Sequence, residues 1–174
     1  IELKKVIANW SQEQYDWEIE PEWVIFSNGV VSSLNISIMG LTEPDDGVIL
    51  QSPVYYPFFT AIKNNKAEVI NNQLVLNKNK YTMDYAGLED ILSKDSANAE
   101  KSRIKSLVLC SPHNPVGRVW TREELQKLGE ICLEHNVTII SDEIHADFRY
   151  KGRPHIPFAA ITKEFAQNSI TLMA

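Results

Sequence analysis

Short apolar runs alternate with helix-period segments along this 174-residue chain, and that alternation constrains the fold more than any other feature. The runs at 48–52 (VILQS), 106–111 (SLVLCS), 137–143 (VTIISDE) and 169–173 (SITLM) read as buried strands. The segments at 30–40, 55–64, 85–93 and 121–135 read as helices. Strands separated by helices pair in parallel, because a parallel partner needs a crossover and a helix supplies one. The expected fold is therefore α/β: three layers, a mainly parallel sheet with helices on both faces.

The segment 121–135 carries the strongest local signals. Thr121 and Glu124 stand three apart as in a capping box, and Leu125, Leu128 and Cys132 mark one helical face. An opening helix is expected from Leu3, Val6, Ile7 and Trp10. Further strands are expected at 24–27 and 68–75, the latter closed by the turn NKNK, and a polar loop at 95–105. The chain opens inside a helical pattern and closes on an apolar strand, so a piece of a longer domain is expected.

Composition narrows the function. The net charge of −6 with no Lys/Arg-rich block argues against nucleic acid or an anionic membrane as the main partner. No apolar stretch is long enough to span a bilayer. Cys110 and Cys132 lie in apolar segments and read as buried thiols of a reducing compartment, so a cytoplasmic protein is expected.

In parallel α/β sheets, ligands bind beyond the carboxyl ends of the strands. The residues there are SNG (27–29), SPVYY (52–56), SPHNP (111–115) and SDEIH (141–145). Gly29 precedes an apolar helix beginning at Val30, and a helix N-terminus offers free N–H groups to a phosphate; a plain glycine turn is the bland alternative. Tyr55 can stack on a planar ligand or pack in the core. Asn114, held between Pro112 and Pro115, can donate to a ligand oxygen or bond its own turn. His113 gains no role. Asp142 ends an apolar strand, where an unpaired carboxylate is costly, so it needs a cation or hydrogen-bond donor: a ligand, or an Arg or Lys of the protein. Glu143 should face the other way by strand alternation. His145 can orient Asp142 or touch the same ligand.

Other classes fare worse. VTIISDEIH has the look of the acidic strand of an ATPase, but the glycines at 29, 40, 47, 87, 117, 129 and 152 form no GxxxxGK[ST] loop and no GxGxxG dinucleotide fingerprint. A metal site from Asp142, Glu143 and His145 lacks a clear set of further ligands.

Taken together and in this order, SNGVVSSL, SPVYYPFF, SPHNPVG and SDEIH resemble the large domain of the fold-type I pyridoxal-phosphate enzymes, the class I/II aminotransferase family. SPHNPVGRVWTREEL, SDEIHADF and GRPHIPFA are most similar to its cystathionine β-lyase branch of MalY/PatB type, and His145 stands where other members usually carry Tyr. The resemblance implies pyridoxal 5′-phosphate as cofactor. It implies that Val30 and Val31 give backbone N–H groups to its phosphate and that Tyr55 stacks on its ring. Asn114 would meet the ring 3-oxygen, Asp142 the protonated ring nitrogen, and His145 the 3-oxygen side.

The implied activity is C–S β-elimination on a small sulfur-containing amino acid, releasing thiol, pyruvate and ammonia. Transamination is the alternative within the family, and a non-catalytic α/β binding module is the alternative outside it. The family's Schiff-base lysine is expected just beyond Ala174, so residues 1–174 would be the central part of the large domain. The N-terminal segment, the lysine region and the C-terminal small domain would be missing. Lys151 and Lys163 lack the lysine's sequence context. The chain alone is then expected to be inactive, its parent an enzyme and, as the family implies, a homodimer.

Overall fold

The computed structural model describes residues 2–98, 103–148 and 151–174. In chain order the helices are α1 (Glu2–Tyr15), α2 (Val30–Leu41), α3 (Pro57–Asn64), α4 (Tyr85–Asn98), α5 (Arg122–Glu134) and α6 (Lys163–Gln167). The strands are β1 (Gly47–Leu50), β2 (Glu68–Asn71), β3 (Val75–Asn77), β4 (Lys80–Thr82), β5 (Ile104–Cys110), β6 (Thr138–Asp142) and β7 (Ser169–Leu172).

Five strands form one sheet in the order β2-β1-β5-β6-β7, and every pairing is parallel. The expected α/β architecture is what the chain adopts. Alternation along the strands sorts the core into two layers. Val48 and Leu50 of β1, Val108 and Cys110 of β5, and Ile140 of β6 face α2 and α3, meeting Leu34, Ile38, Phe58 and Ile62. Ile49, Leu107, Leu109 and Ile139 face the opposite way, onto Leu88 and Leu92 of α4 and Leu125, Leu128 and Cys132 of α5. Both cysteines are buried and free. Burial on both sides explains why these strands are continuous apolar runs instead of alternating ones.

Helix α5 begins as its sequence dictates. Thr121 accepts from the Glu124 N–H and the Glu124 carboxylate accepts from the Thr121 N–H, so the capping box is complete.

Several boundaries differ from expectation. Segment 24–27 is not a strand: it joins no ladder among the described residues, and Ile25 is 87% exposed. β-propensity alone does not make a strand where no partner strand lies alongside. The segment 68–75 splits, because its end turns away to pair as β3 with β4 in an antiparallel hairpin. Helix α4 runs on through Asn98 where a loop was expected from 95, with Ser96 Oγ donating to the Leu92 carbonyl. The part of that loop at 99–102 lies outside the described residues.

Strand β1 pairs with β2 on one side and β5 on the other, so the chain leaves it in opposite directions. That reversal opens a crevice beyond the carboxyl ends of β1 and β5, where such sheets take their ligands.

Candidate functional site

A cavity of about 270 Å³ occupies that crevice, lined by Val30, Val31, Tyr55, Cys110, Asn114, Asp142, Ile144 and His145. All six residues singled out in the sequence share this one cavity. They come from four separated segments, brought together because parallel strands end on the same edge.

The N-terminus of α2 forms one wall. Its N-cap, Gly29, has φ 120° and no side chain to cap the helix. A residue with a Cβ would be strained at that φ, and glycine is free of the penalty. The first-turn N–H groups of a 12-residue helix are thus left open at the cavity, with the positive end of the helix dipole behind them.

Tyr55 lies in the loop after β1 and contacts Phe58 edge-on at 5.9 Å between ring centroids. That loop is tied to the sheet: the Ser52 N–H donates to Asn71 Oδ1 at 3.2 Å, and the Leu74 N–H to the Ser52 carbonyl at 2.8 Å.

Asn114 sits in the turn after β5. The turn is closed by the His113 N–H on the Arg118 carbonyl, 2.7 Å, and the Gly117 N–H on the His113 carbonyl, 2.9 Å. The Asn114 N–H donates to Cys110 Sγ at 3.3 Å. Cys110 was not among the expected lining residues. Its register partner on β6 is Asp142, and the clue available in sequence was its place at the end of the apolar run SLVLC, next to the turn that carries Asn114. Burial pushes its thiol up to about 12, so it stays protonated and unreactive.

Asp142 ends β6 and is 4% exposed. Its Oδ1 accepts from the Ile144 N–H at 3.1 Å, and no ion-paired cation reaches it among the described residues. Burial is the main cause that raises its pKa above the ordinary value; the Ile144 N–H and His145 oppose this. The structural Arg or Lys partner considered from sequence is therefore not there among the described residues. A desolvated carboxylate facing a cavity is matched by a cationic or N–H-bearing ligand.

Glu143 points to the opposite side, as strand alternation requires. There it accepts from Ser141 Oγ (2.8 Å) and the Phe158 N–H (2.9 Å), and pairs with His155 Nε2 (2.7 Å). A three-residue metal set of Asp142, Glu143 and His145 is not assembled, and no metal-binding group of side chains occurs among the described residues. Asn114 and His145 also border an open groove of about 610 Å³ with Val119, Asp147 and Phe148, so the cavity communicates with the surface through them.

Comparisons with known proteins match this architecture. The model of the family "Aminotransferase class I and II" covers residues 1–171. Cystathionine beta-lyase PatB of Bacillus subtilis is 42% identical over 171 residues, which is 98% of this chain and 42% of that protein. Protein MalY of Escherichia coli is 32% identical over 162 residues, 93% of this chain and 40% of that protein. Among solved structures, cystalysin from Treponema denticola, which contains a pyridoxal 5′-phosphate cofactor, superposes with a TM-score of 0.91 at 39% identity, covering 98% of this chain and 42% of that one. The chain thus spans about two-fifths of the length of these relatives. A match over almost every residue, together with the shared fold, establishes that the chain belongs to the class I and II aminotransferase family.

Proposed function

We propose that the cavity is a pyridoxal 5′-phosphate site and that the protein carrying this chain is a C–S β-lyase acting on a small sulfur-containing amino acid. The observation that carries the cofactor assignment is the convergence of Val30, Val31, Tyr55, Asn114, Asp142 and His145 on one cavity. Each of its walls suits one part of that molecule. The open N-terminus of α2 takes a phosphate, through the N–H groups of Val30 and Val31. Tyr55 offers an aromatic face to the ring. The Asn114 amide donates to the ring 3-oxygen, and His145 stands on the same side. Asp142, with no ion-paired cation among the described residues, would take the ring N–H.

When bound, pyridoxal phosphate is an electron sink for the α-carbon of an amino acid, and with sulfur on the β-carbon the outcome is thiol, pyruvate and ammonia. The residues of this chain hold the sink in its effective state. The Asp142 carboxylate, desolvated and opposite in sign, raises the affinity of the ring nitrogen for its proton. Asn114 and His145 lie where cavity meets groove and so face an incoming substrate.

The lyase assignment rests on the relatives named above: PatB, 42% identical, bears the name of a cystathionine β-lyase. The family's own description favours the second reading, transamination. Incubating the complete, cofactor-loaded protein with cystathionine separates them. Pyruvate formed without any 2-oxo acid present is the expected result. Amino exchange with a 2-oxo acid, and no pyruvate from cystathionine, would reverse the assignment. A complete protein that takes up no pyridoxal phosphate, and so develops no visible absorbance, would leave an α/β binding module.

In this reading the chain is the central part of a large domain, in keeping with its share of the relatives' length. The two buried free thiols accord with a reducing compartment, the cytoplasm. The family's pairing into homodimers would cover the exposed apolar side chains of α2, Ile36 and Met39.

A further inference from the structure

We infer that His113 is a positioning residue: it fixes Tyr55 relative to Asn114 by tying the loop at 52–56 to the turn at 111–117. This rests on the cofactor site proposed above, because Tyr55 and Asn114 are two of its walls.

The tie is one hydrogen bond in a rigid setting. His113 Nε2 lies 3.0 Å from the carbonyl oxygen of Pro53. A carbonyl can only accept, so Nε2 carries the proton and Nδ1 a lone pair. Pro53 is two residues before Tyr55, and His113 is next to Asn114. The bond therefore joins the loops that follow β1 and β5, on either side of the crevice.

The imidazole itself is held fast. It is 2% exposed and meets the indole of Trp120 edge-on at 5.5 Å. Trp120 is pinned by its Nε1–H on the Cys110 carbonyl at 3.0 Å and by the Arg118 guanidinium 4.5 Å from its ring centroid. Arg118 is gripped by both oxygens of Glu124, at 2.7 and 2.6 Å, on the first turn of α5. The chain of contacts runs from α5 through Arg118, Trp120 and His113 to Pro53, so the Tyr55 loop is referenced to a capped helix.

A space-filling role does not account for the residue type. His113 Nδ1 is buried with no hydrogen-bond partner among the described residues. A buried polar atom left unpaired is costly, and an apolar side chain would fill the volume without that cost. What the imidazole adds over an apolar side chain is the bond its other nitrogen makes. Burial is the largest cause holding its pKa below the ordinary value, with the backbone groups of Pro53 and Cys110 opposing it, so the neutral ring that donates from Nε2 is favoured.

Two variants of the complete protein test this, with two readouts. His113→Leu keeps the bulk and removes the donor. His113→Gln places an amide N–H near the position of Nε2. Amide hydrogen exchange, followed without cofactor, reads the tie directly. Pyridoxal phosphate titration, followed by absorbance, reads its consequence. For His113→Leu the expected result is exchange at Phe58 and Phe59, whose N–H groups donate to the Tyr55 and Tyr56 carbonyls, about tenfold faster, with cofactor affinity about tenfold weaker, as loss of a buried hydrogen bond implies. His113→Gln is expected to restore both to within about threefold. Unchanged exchange at Phe58 and Phe59 in His113→Leu would overturn the tie. So would equal impairment in both variants, since bulk or packing would then be what matters. A wild-type protein that binds no pyridoxal phosphate would overturn the cofactor assignment alone, because the exchange result would still decide whether His113 holds the loop.

Discussion

Asp142 shows how a single residue can be located in sequence and still need the structure for its meaning. Its place at the end of VTIIS marked it as a carboxylate with a desolvation problem. Whether a protein cation solved that problem was not legible, because an Arg or Lys partner can come from anywhere in the chain. Among the described residues the Ile144 N–H donates to it and His145 lies close enough to favour its charge, but no cation is ion-paired with it. Asp142→Asn in the complete protein is therefore expected to lower the β-elimination rate about 100-fold or more, the scale of losing a charge-assisted partner worth about 3 kcal/mol. Its melting temperature should be unchanged or higher, since a desolvated charge is removed. Full activity in Asp142→Asn would show that the ring nitrogen is not its partner. His113 is the opposite case: nothing in SPHNPVG reveals a bond to Pro53, 60 residues earlier.

Elements with complete local signals formed as read. Helix α5 has its capping box and apolar face in adjacent residues, and its bounds agree with the sequence to within a residue. Segment 24–27 has strand-like composition but no ladder partner among the described residues, and it stays out of the sheet. Helix α5 also shows packing that periodicity does not reveal. A Cβ at Gly129 would lie 2.5 Å from the tip of the Phe165 ring, which is itself stacked on Phe158 at 5.1 Å. Gly129→Ala gains about 1 kcal/mol of helix propensity. Displacing a buried, stacked ring costs about 1–3 kcal/mol. The expected net effect is a lower melting temperature. A higher one would mean that the Phe158–Phe165 stack shifts freely.

At the scale of the molecule, two buried groups shape stability against pH in the cofactor-free protein. Burial raises the Asp142 pKa above its ordinary 3.8, so its protonated form contributes stability that is fully present below 3.8 and is lost as pH rises through the folded value. Burial lowers the His113 pKa below its ordinary 6.5, so neutral His113 contributes stability that is present above 6.5 and is lost as pH falls through the folded value. Denaturant unfolding at a series of pH values should show both slopes. Asp142→Asn should remove the loss on the alkaline side of 3.8, and His113→Gln the loss on the acid side of 6.5. Slopes that persist in these variants would assign the titration to other groups.

The sequence by itself determined the α/β class, the two-faced core and the residues that lie at the strand ends. These follow from period, composition and chain order, which are local properties. Parallel strands then carry their carboxyl ends to one edge, so six residues read from four segments met at one cavity without any contact being known. Tertiary structure alone decided the partners. It showed that Asp142 has no ion-paired cation among the described residues and that Glu143 is spent on His155 and Phe158 behind the sheet. It showed that β3 leaves the sheet to form a hairpin and that His113 bridges two loops. A hydrogen bond between residues far apart in sequence depends on ångström-scale placement of both groups, and no pattern along the chain encodes that placement.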